Sequence, residues 1–162
     1  MELKAETLRG KVRLANESDI DQIVKVINTV NKAFYRNVIP QEHFRDPFVS
    51  REQLAADFRK WHFFVYEGKE AIIGTVALER SSSKTGTVYR LYVLPQFQRL
   101  GVASALMQRV EQKAKKLGLK RLRLRVFGRA HWAISFYQKI GYIIVDEVDY
   151  QWGRDYVFQK NL

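Results

Sequence analysis

Between residues 87 and 127 the hydrophobic period changes from two to 3.6 and back to two, and this succession constrains the fold more than any other feature of the chain. Residues 87–94 read as an apolar strand. Residues 101–117 then place Ala103, Leu106, Val110, Ala114 and Leu117 on one helical stripe, with Gly118 as the stop. Residues 119–127 alternate Leu122, Leu124 and Val126 with Arg121, Arg123 and Arg125, as a strand with one buried face does. A strand, helix, strand connection of this kind predicts two parallel neighbours in one sheet, joined by a right-handed crossover.

The rest of the chain supplies strands and helices around that unit. Residues 18–34 open on a Ser18-x-x-Asp21 cap signal and carry Ile20, Ile23, Val24, Ile27 and Phe34 at helical spacing. After a break with two prolines, Ser50-x-x-Gln53 starts a shorter helix bearing Leu54, Phe58 and Trp61. Residues 63–66, 71–78 and 87–94, separated by polar turns, predict an antiparallel meander. A helix to Ile140, a strand over 142–145 and a last strand over 150–159 follow. The expectation is an α/β fold in one domain over 1–162, with a mixed, mostly antiparallel sheet and a single parallel crossover.

Composition narrows the chemistry. At 162 residues and 46% hydrophobic, with 10 Phe, 8 Tyr and 3 Trp, the chain can bury a core without a metal or disulfide staple, which excludes disordered and fibrous classes. Cysteine is absent, so thiol nucleophiles and thiolate metal sites drop out. His43, His62 and His131 lack the spacing of metal ligands on one element, and no metal is expected. No Gly-x-Ser-x-Gly elbow supports a hydrolase, and Ser81 to Ser83 read as a turn. No apolar run approaches the roughly 20 residues that span a bilayer, and residues 1–11 lack a signal-peptide core, so a cytoplasmic protein without a membrane partner is expected. The net charge of +11 attracts polyanions: nucleic acid, membrane headgroups or phosphorylated cofactors.

The chemistry centres on Leu91, Tyr92, Val93, Leu94 and the segment Gln98-Arg99-Leu100-Gly101-Val102-Ala103, where an apolar strand feeds a loop and a helix start. Amides at a helix start point outward along the dipole, and small residues leave a phosphate free to approach them. No Gly-Lys-Ser/Thr follows, so this is not a P-loop, and the three glycines of a dinucleotide fingerprint are missing.

The segment from Gln98 to Ala103 resembles the Q/R-x-x-G-x-G/A motif of the GNAT N-acetyltransferase superfamily. About thirty residues downstream, Ala133-Ile134-Ser135-Phe136-Tyr137-Gln138-Lys139-Ile140-Gly141-Tyr142 is similar to that superfamily's A-I-x-F-Y-x-K-x-G-F/Y run. The resemblance implies a GNAT-like fold with helices on both faces of the sheet and acetyl-coenzyme A as co-substrate. It also implies that Leu91, Tyr92 and Val93 lie along the pantetheine and acetyl group. The amides of Arg99, Leu100, Gly101, Val102, Ala103 and Ser104 would hold the pyrophosphate beside Gln98. Tyr137 would act as general acid toward the departing thiolate. By helical spacing alone, Tyr137 falls with Ala133, Phe136 and Ile140 as a core aromatic; the motif gives it the catalytic role. Ala130 stands where an asparagine that contacts the cofactor is usual.

Without cysteine, the simplest mechanism is direct attack of a neutral primary amine on the thioester in a ternary complex. Deprotonating an alkylamine of pKa about 10.4 at pH 7 costs about 4.6 kcal/mol, against about 1 for an α-amine. Two positions that hold carboxylates in some relatives are Thr87 and Arg125 here. Glu79, expected to face Thr87 across a hairpin, is the substitute base acting through water, set against a solvated strand-edge carboxylate. The acceptor is a small-molecule amine or a peptide amine; protein α-amines are the alternative, and residues 34–40 are expected to shape its pocket. Asp146, Glu147 and Asp149 are acids that would receive a cationic amine, or a solvated patch. The basic set Lys113, Lys115, Lys116, Lys120, Arg121, Arg123 and Arg125 gives a rival reading, a non-catalytic nucleic-acid-binding module, but lacks interleaved aromatics. A homodimer is a further expectation.

Overall fold

A computed structural model describes residues 10–162, so the expectation drawn from residues 1–11 lies largely outside the described residues. Seven strands form one sheet: β1 (Lys11–Leu14), β2 (His62–Glu67), β3 (Ile72–Arg80), β4 (Thr85–Val93), β5 (Arg121–Phe127), β6 (Ile143–Tyr150) and β7 (Gly153–Asn161), ordered β1-β2-β3-β4-β5-β7-β6. Every pairing is antiparallel except that of β4 with β5, the predicted crossover. Four α-helices accompany it: α1 (Ile20–Phe34), α2 (Arg51–Lys60), α3 (Val102–Lys116), which makes the crossover, and α4 (His131–Lys139).

The pleat of the strands divides the core in two. Phe63, Val65, Ile72 and Ala77 face Ile23, Ile27 and Val30 of α1 and Leu54 of α2. Phe64, Ile73, Val76, Leu78, Leu122, Leu124 and Val126 face Leu106, Met107, Val110 and Ala114 of α3, with Tyr137 of α4 beside them. Helices therefore cover both faces. Arg121, Arg123 and Arg125 fall on the α1 and α2 face, because their strand neighbours are buried toward α3.

Three local expectations need correction. The N-terminal signal is shifted: the cap is Asn16 instead of Ser18, and a 3-10 turn over Glu17–Asp19 precedes α1. Asn16 and Asp19 form a reciprocal capping box, in which the Asn16 side chain accepts from the Ser18 amide at 3.0 Å and Asp19 accepts from the Asn16 amide at 2.8 Å. Asp19 is fixed there by Arg13, whose guanidinium donates to both carboxylate oxygens at 2.7 and 2.9 Å. Secondly, β1 has no counterpart among the predicted strands, since four residues carry too little alternation. Thirdly, Tyr150 ends β6 and does not open the last strand. Strand β6 lies at the sheet edge with Asp146, Glu147 and Asp149 exposed, so no buried face marks it; Glu147 and Asp149 pair with Arg154 of β7.

One irregularity shapes everything near the crossover. Thr75 stands opposite Tyr92 and Ala77 opposite Tyr89, so β4 holds one more residue than β3 across this interval, and Arg90 adopts φ 58°. On the other side, β4 pairs with β5 only at Thr85↔Arg121, Gly86↔Leu122 and Thr87↔Arg123. Beyond Thr87 the two strands part.

The corrected cap makes a distinction by mutation. Asn16→Ala is expected to cost about 1 kcal/mol in urea unfolding, and Ser18→Ala a few tenths, because only Asn16 accepts the orphan amides; the reverse order would restore the Ser18 cap.

Candidate active site

The parting of β4 from β5 opens a cavity of about 1260 Å3 that runs from the start of α3, past α4, to the segment joining α1 and α2. Its floor is the C-terminal half of β4, with Leu91, Tyr92 and Val93 on the wall.

At one end lies the loop into α3. Gly101 is the N-cap with φ 87°, and a Cβ built there meets nothing within 4 Å, so the space before the helix is open. Arg99 is also left-handed at φ 62°. Gln98 pins the loop to the strand it leaves, its Nε2 donating to the Val93 carbonyl at 2.8 Å. The first amide with an acceptor inside the turn is Ala105, to the Gly101 carbonyl at 3.0 Å, which leaves the preceding amides pointing out of the helix. Gln98, Arg99, Gly101, Val102, Ala103 and Ser104 all line the cavity. Leu100 does not. Ala130 is fully buried as the N-cap residue of α4, donates its amide to the Phe127 carbonyl and stands off the wall.

Tyr137 reaches the cavity from α4 while its ring packs against Phe136, Tyr142 and Phe158 at centroid distances of 5.2, 5.8 and 5.9 Å. It is thus both a core aromatic and a wall residue. Burial pushes its phenol well above the usual tyrosine range, and the neighbouring Tyr35 and Tyr92 push in the same direction. Burial also raises Tyr35 and Tyr92, both of them on the same wall. Three phenols that resist ionisation therefore surround the middle of the cavity.

The far end, toward α1 and α2, is aromatic and basic. Trp61 stacks on Tyr89 at 4.2 Å, and Phe34 and Tyr35 pack on Trp132 at 5.7 and 5.3 Å, which brings Tyr35, alone of residues 34–40, onto the cavity wall. Glu79 stands opposite Thr87, as predicted, but on β3, which lies between β2 and β4; it is no strand-edge residue. It is not on the cavity wall. Its carboxylate accepts from Trp61 Nε1 at 2.8 Å and from Ser81 Oγ at 3.3 Å, and the Ser81 hydroxyl is hydrogen-bonded to that of Thr87, which does line the cavity. Arg90 and Arg125 also line it, each held by a carboxylate behind it: Asp57 at 3.1 Å and Asp155 at 3.0 Å.

Sequence reasoning did not single out Trp61, Tyr89, Trp132 or Arg90 for this site. Tyr89 and Arg90 adjoin the bulge, which has no signature in the residues themselves. The wider basic set is dispersed: Lys113, Lys115 and Lys116 occupy the last turn of α3, where they offset the helix dipole, and Arg123 donates to Gln159. Among the described residues no three His, Asp or Glu side chains gather where a metal could bind, and no helix is long and apolar enough to cross a membrane.

Comparison with known proteins gives the family and the fold. The sequence model of the acetyltransferase (GNAT) family matches residues 25–142. An uncharacterised N-acetyltransferase of Bacillus subtilis, YdgE, is 32% identical over 63 residues, 39% of this chain and 40% of that protein. The acetyltransferase SG1711 of Sodalis glossinidius is 31% identical over 86 residues, 53% of this chain and 60% of the other. The chain thus spans about half the length of the curated relatives it matches. Among solved structures, the PaiA N-acetyltransferase of Thermoplasma acidophilum, crystallised with coenzyme A, superposes with a TM-score of 0.83 at 22% identity, covering 94% of this chain and 99% of that one; the likeness is one of fold.

The left-handed cap has a measurable consequence. Gly101→Val is expected to cost about 1–2 kcal/mol, seen as a lowered Tm, since strain at positive φ acts even where the side chain has room; an unchanged Tm would mean that the cap relaxes.

Proposed function

Because the chain belongs to the acetyltransferase (GNAT) family, we propose that residues 1–162 work as one catalytic domain. It moves an acetyl group from acetyl-coenzyme A to a primary amine by direct attack in a ternary complex. One observation carries the proposal: the two motif-bearing segments, 98–103 and 133–142, meet across a single cavity with an open amide cradle on one wall and the Tyr137 phenol on another. They were read separately from the sequence, and nothing in a chance match requires them to converge.

The residues present fit the co-substrate. A diphosphate would be held by the outward amides from Gly101 to Ser104, each charge-assisted bond contributing about 1.5–3 kcal/mol, with Gly101 and Ala103 leaving the approach clear. Strand β4 beyond Thr87 lacks its β5 partner, so the main-chain groups of Leu91 and Val93 turned away from β3, apart from the Val93 carbonyl that accepts from Gln98, are available to hydrogen-bond the amides of an extended arm. Bound acetyl-coenzyme A supplies the activated acyl group; the chain orients it and manages two protons.

Tyr137 handles the first. Its phenol, raised by burial, keeps its proton throughout the physiological range and donates at the position of the departing sulfur. The second leaves the incoming amine. Thr87 stands at the cavity, Ser81 behind it and Glu79 behind Ser81, so a hydroxyl relay leads from the wall to a carboxylate; this relay, in place of bulk water, lets Glu79 act as the base. Arg125 contributes in another way, because a fixed cation nearby disfavours the ammonium form of the amine and lowers the deprotonation cost.

Isothermal titration with acetyl-coenzyme A tests the premise, and absence of binding at millimolar ligand defeats it. Tyr137→Phe is expected to lower kcat about 10²-fold with coenzyme A affinity retained, and unchanged turnover would leave Tyr137 a packing residue. Glu79→Gln should lower kcat about tenfold or more while KM for acetyl-coenzyme A holds; full activity would remove Glu79 from the proton path.

A further inference from the structure

Every formally charged side chain on the wall of the 1260 Å3 cavity is basic: Arg90, Arg99, Arg125 and Lys139, with no Asp or Glu among the described residues that line it. Arg99 belongs to the loop before α3 and Lys139 to α4, on the side of the cradle. Arg90 and Arg125 do not. Arg90 projects from the bulge in β4, and Arg125 sits on the α1 and α2 face of β5, where the aromatic pair Trp61 and Tyr89 lies.

The carboxylates that accompany these two arginines stand outside the wall. Asp57 holds Arg90 from α2, and Asp155 holds Arg125 from β7 while also accepting the Tyr150 hydroxyl at 2.8 Å. Each arginine is thereby oriented with hydrogen-bonding capacity left over, since a guanidinium carries five N–H donors and the carboxylate uses only part of them. Arg90 also lies over the Phe48 ring at 5.9 Å and lines an adjoining cavity of about 740 Å3, where His43 stacks on Trp152 at 4.5 Å. An acceptor entering from this side passes aromatic rings, Arg45 and the acids Glu42 and Asp57, the latter paired with Arg90, before it meets the two pre-positioned cations of the larger cavity.

We propose that the acceptor carries a carboxylate on the same molecule as the amine, bound by Arg90 and Arg125, with an apolar or aromatic body lying on Trp61 and Tyr89: an amino acid of the aromatic or large apolar class. This rests on the acetyltransferase reading and specifies its substrate. A planar, forked donor matches a carboxylate in two bonds, and rings at the wall favour a flat body over a hydrated chain. The same charges work against a polyamine: no acid lines the larger cavity to receive its remaining ammonium groups, and of the two acids in the adjoining one, Glu42 and Asp57, the second is already paired with Arg90. Asp146, Glu147 and Asp149, candidate receivers of a cation, lie on the edge strand β6, and none of them lines the cavity.

The test uses matched pairs that differ only in the carboxylate: L-phenylalanine against phenethylamine and L-tyrosine against tyramine, with spermidine as the polycation, followed by thiol release from acetyl-coenzyme A. A second readout is calorimetric binding of N-acetyl-L-phenylalanine to the protein saturated with coenzyme A. The acids are expected to exceed their decarboxylated partners about tenfold or more in kcat/KM, and spermidine to be the poorest acceptor. Arg90→Gln and Arg125→Gln should each erase that preference and weaken binding of N-acetyl-L-phenylalanine about tenfold. Coenzyme A affinity should change little, and Arg90→Lys should restore part of the loss.

Equal use of acid and amine, preference for spermidine, turnover of peptide amines alone, or absence of turnover with every acid while acetyl-coenzyme A binds would each overturn the proposal and leave the acetyltransferase reading in place. Failure to bind acetyl-coenzyme A would overturn both.

Discussion

The extra residue in β4 is the constraint on which the site depends. A strand that stayed in register with β3 would also stay in register with β5, and the two parallel strands would close the sheet through their whole length. With Arg90 in the left-handed region, the pairing of β4 with β5 ends at Thr87↔Arg123, and past that point β4 keeps only β3 and β5 only β7 as a partner. The result is an opening in the middle of a sheet whose two faces are otherwise covered by helices. Backbone groups that would have been spent on the ladder become available to a ligand. The opening is therefore a property of the backbone count, stabilised by Arg90 binding Asp57 on α2, and it costs the fold several strand hydrogen bonds.

Much of this was legible in the residues and some was not, for reasons that differ element by element. The α3 stripe and the Leu/Arg alternation of β5 could be read because each element buries one face only, so period and burial coincide. Strand β6 was cut short at Val145 because an edge strand with little buried surface has nothing to impose alternation. The first cap was displaced by two residues because Asn16-x-x-Asp19 and Ser18-x-x-Asp21 have the same spacing. Arg13, from a strand too short to predict, decides between them by holding Asp19. The open turn into α3 was legible since glycine at positive φ is a requirement that sequence records directly. The bulge was not, because Arg90 occupies a position where no special residue type announces the conformation.

Electrostatics explain why a chain of net charge +11 can keep charged groups at a partly buried cavity. A guanidinium facing a cavity without a partner would be costly to desolvate, and one fully neutralised by a bidentate carboxylate would have little left to offer. Arg90 and Arg125 take the intermediate arrangement, each with one acid set behind it from a different element. Such pairing orients the cation at modest cost and keeps the field on the cavity side positive. Glu79 follows the same logic with opposite sign: Trp61 Nε1 and Ser81 stabilise its carboxylate behind the wall, so its charge reaches the cavity through hydroxyls, without the carboxylate lining it.

That division gives the two halves of the cavity distinct physical roles. The cradle half offers backbone amides, which any residue supplies and whose access depends on absence of bulk at Gly101 and Ala103. The other half offers side chains, Tyr89 and Arg90 of β4, Arg125 of β5 and Trp61 at the end of α2, so their relative positions are set by the packing of three elements, α2, β4 and β5. A substitution in the first half acts by obstructing, and one in the second by leaving a partner unpaired. Loss of Arg90, for example, leaves Asp57 at the entrance as an acid without its partner and makes the local field less positive. On the proposed reading, acceptor choice would consequently be more fragile to mutation than co-substrate binding, since a single side chain would carry both the attraction for one class of amine and the exclusion of another.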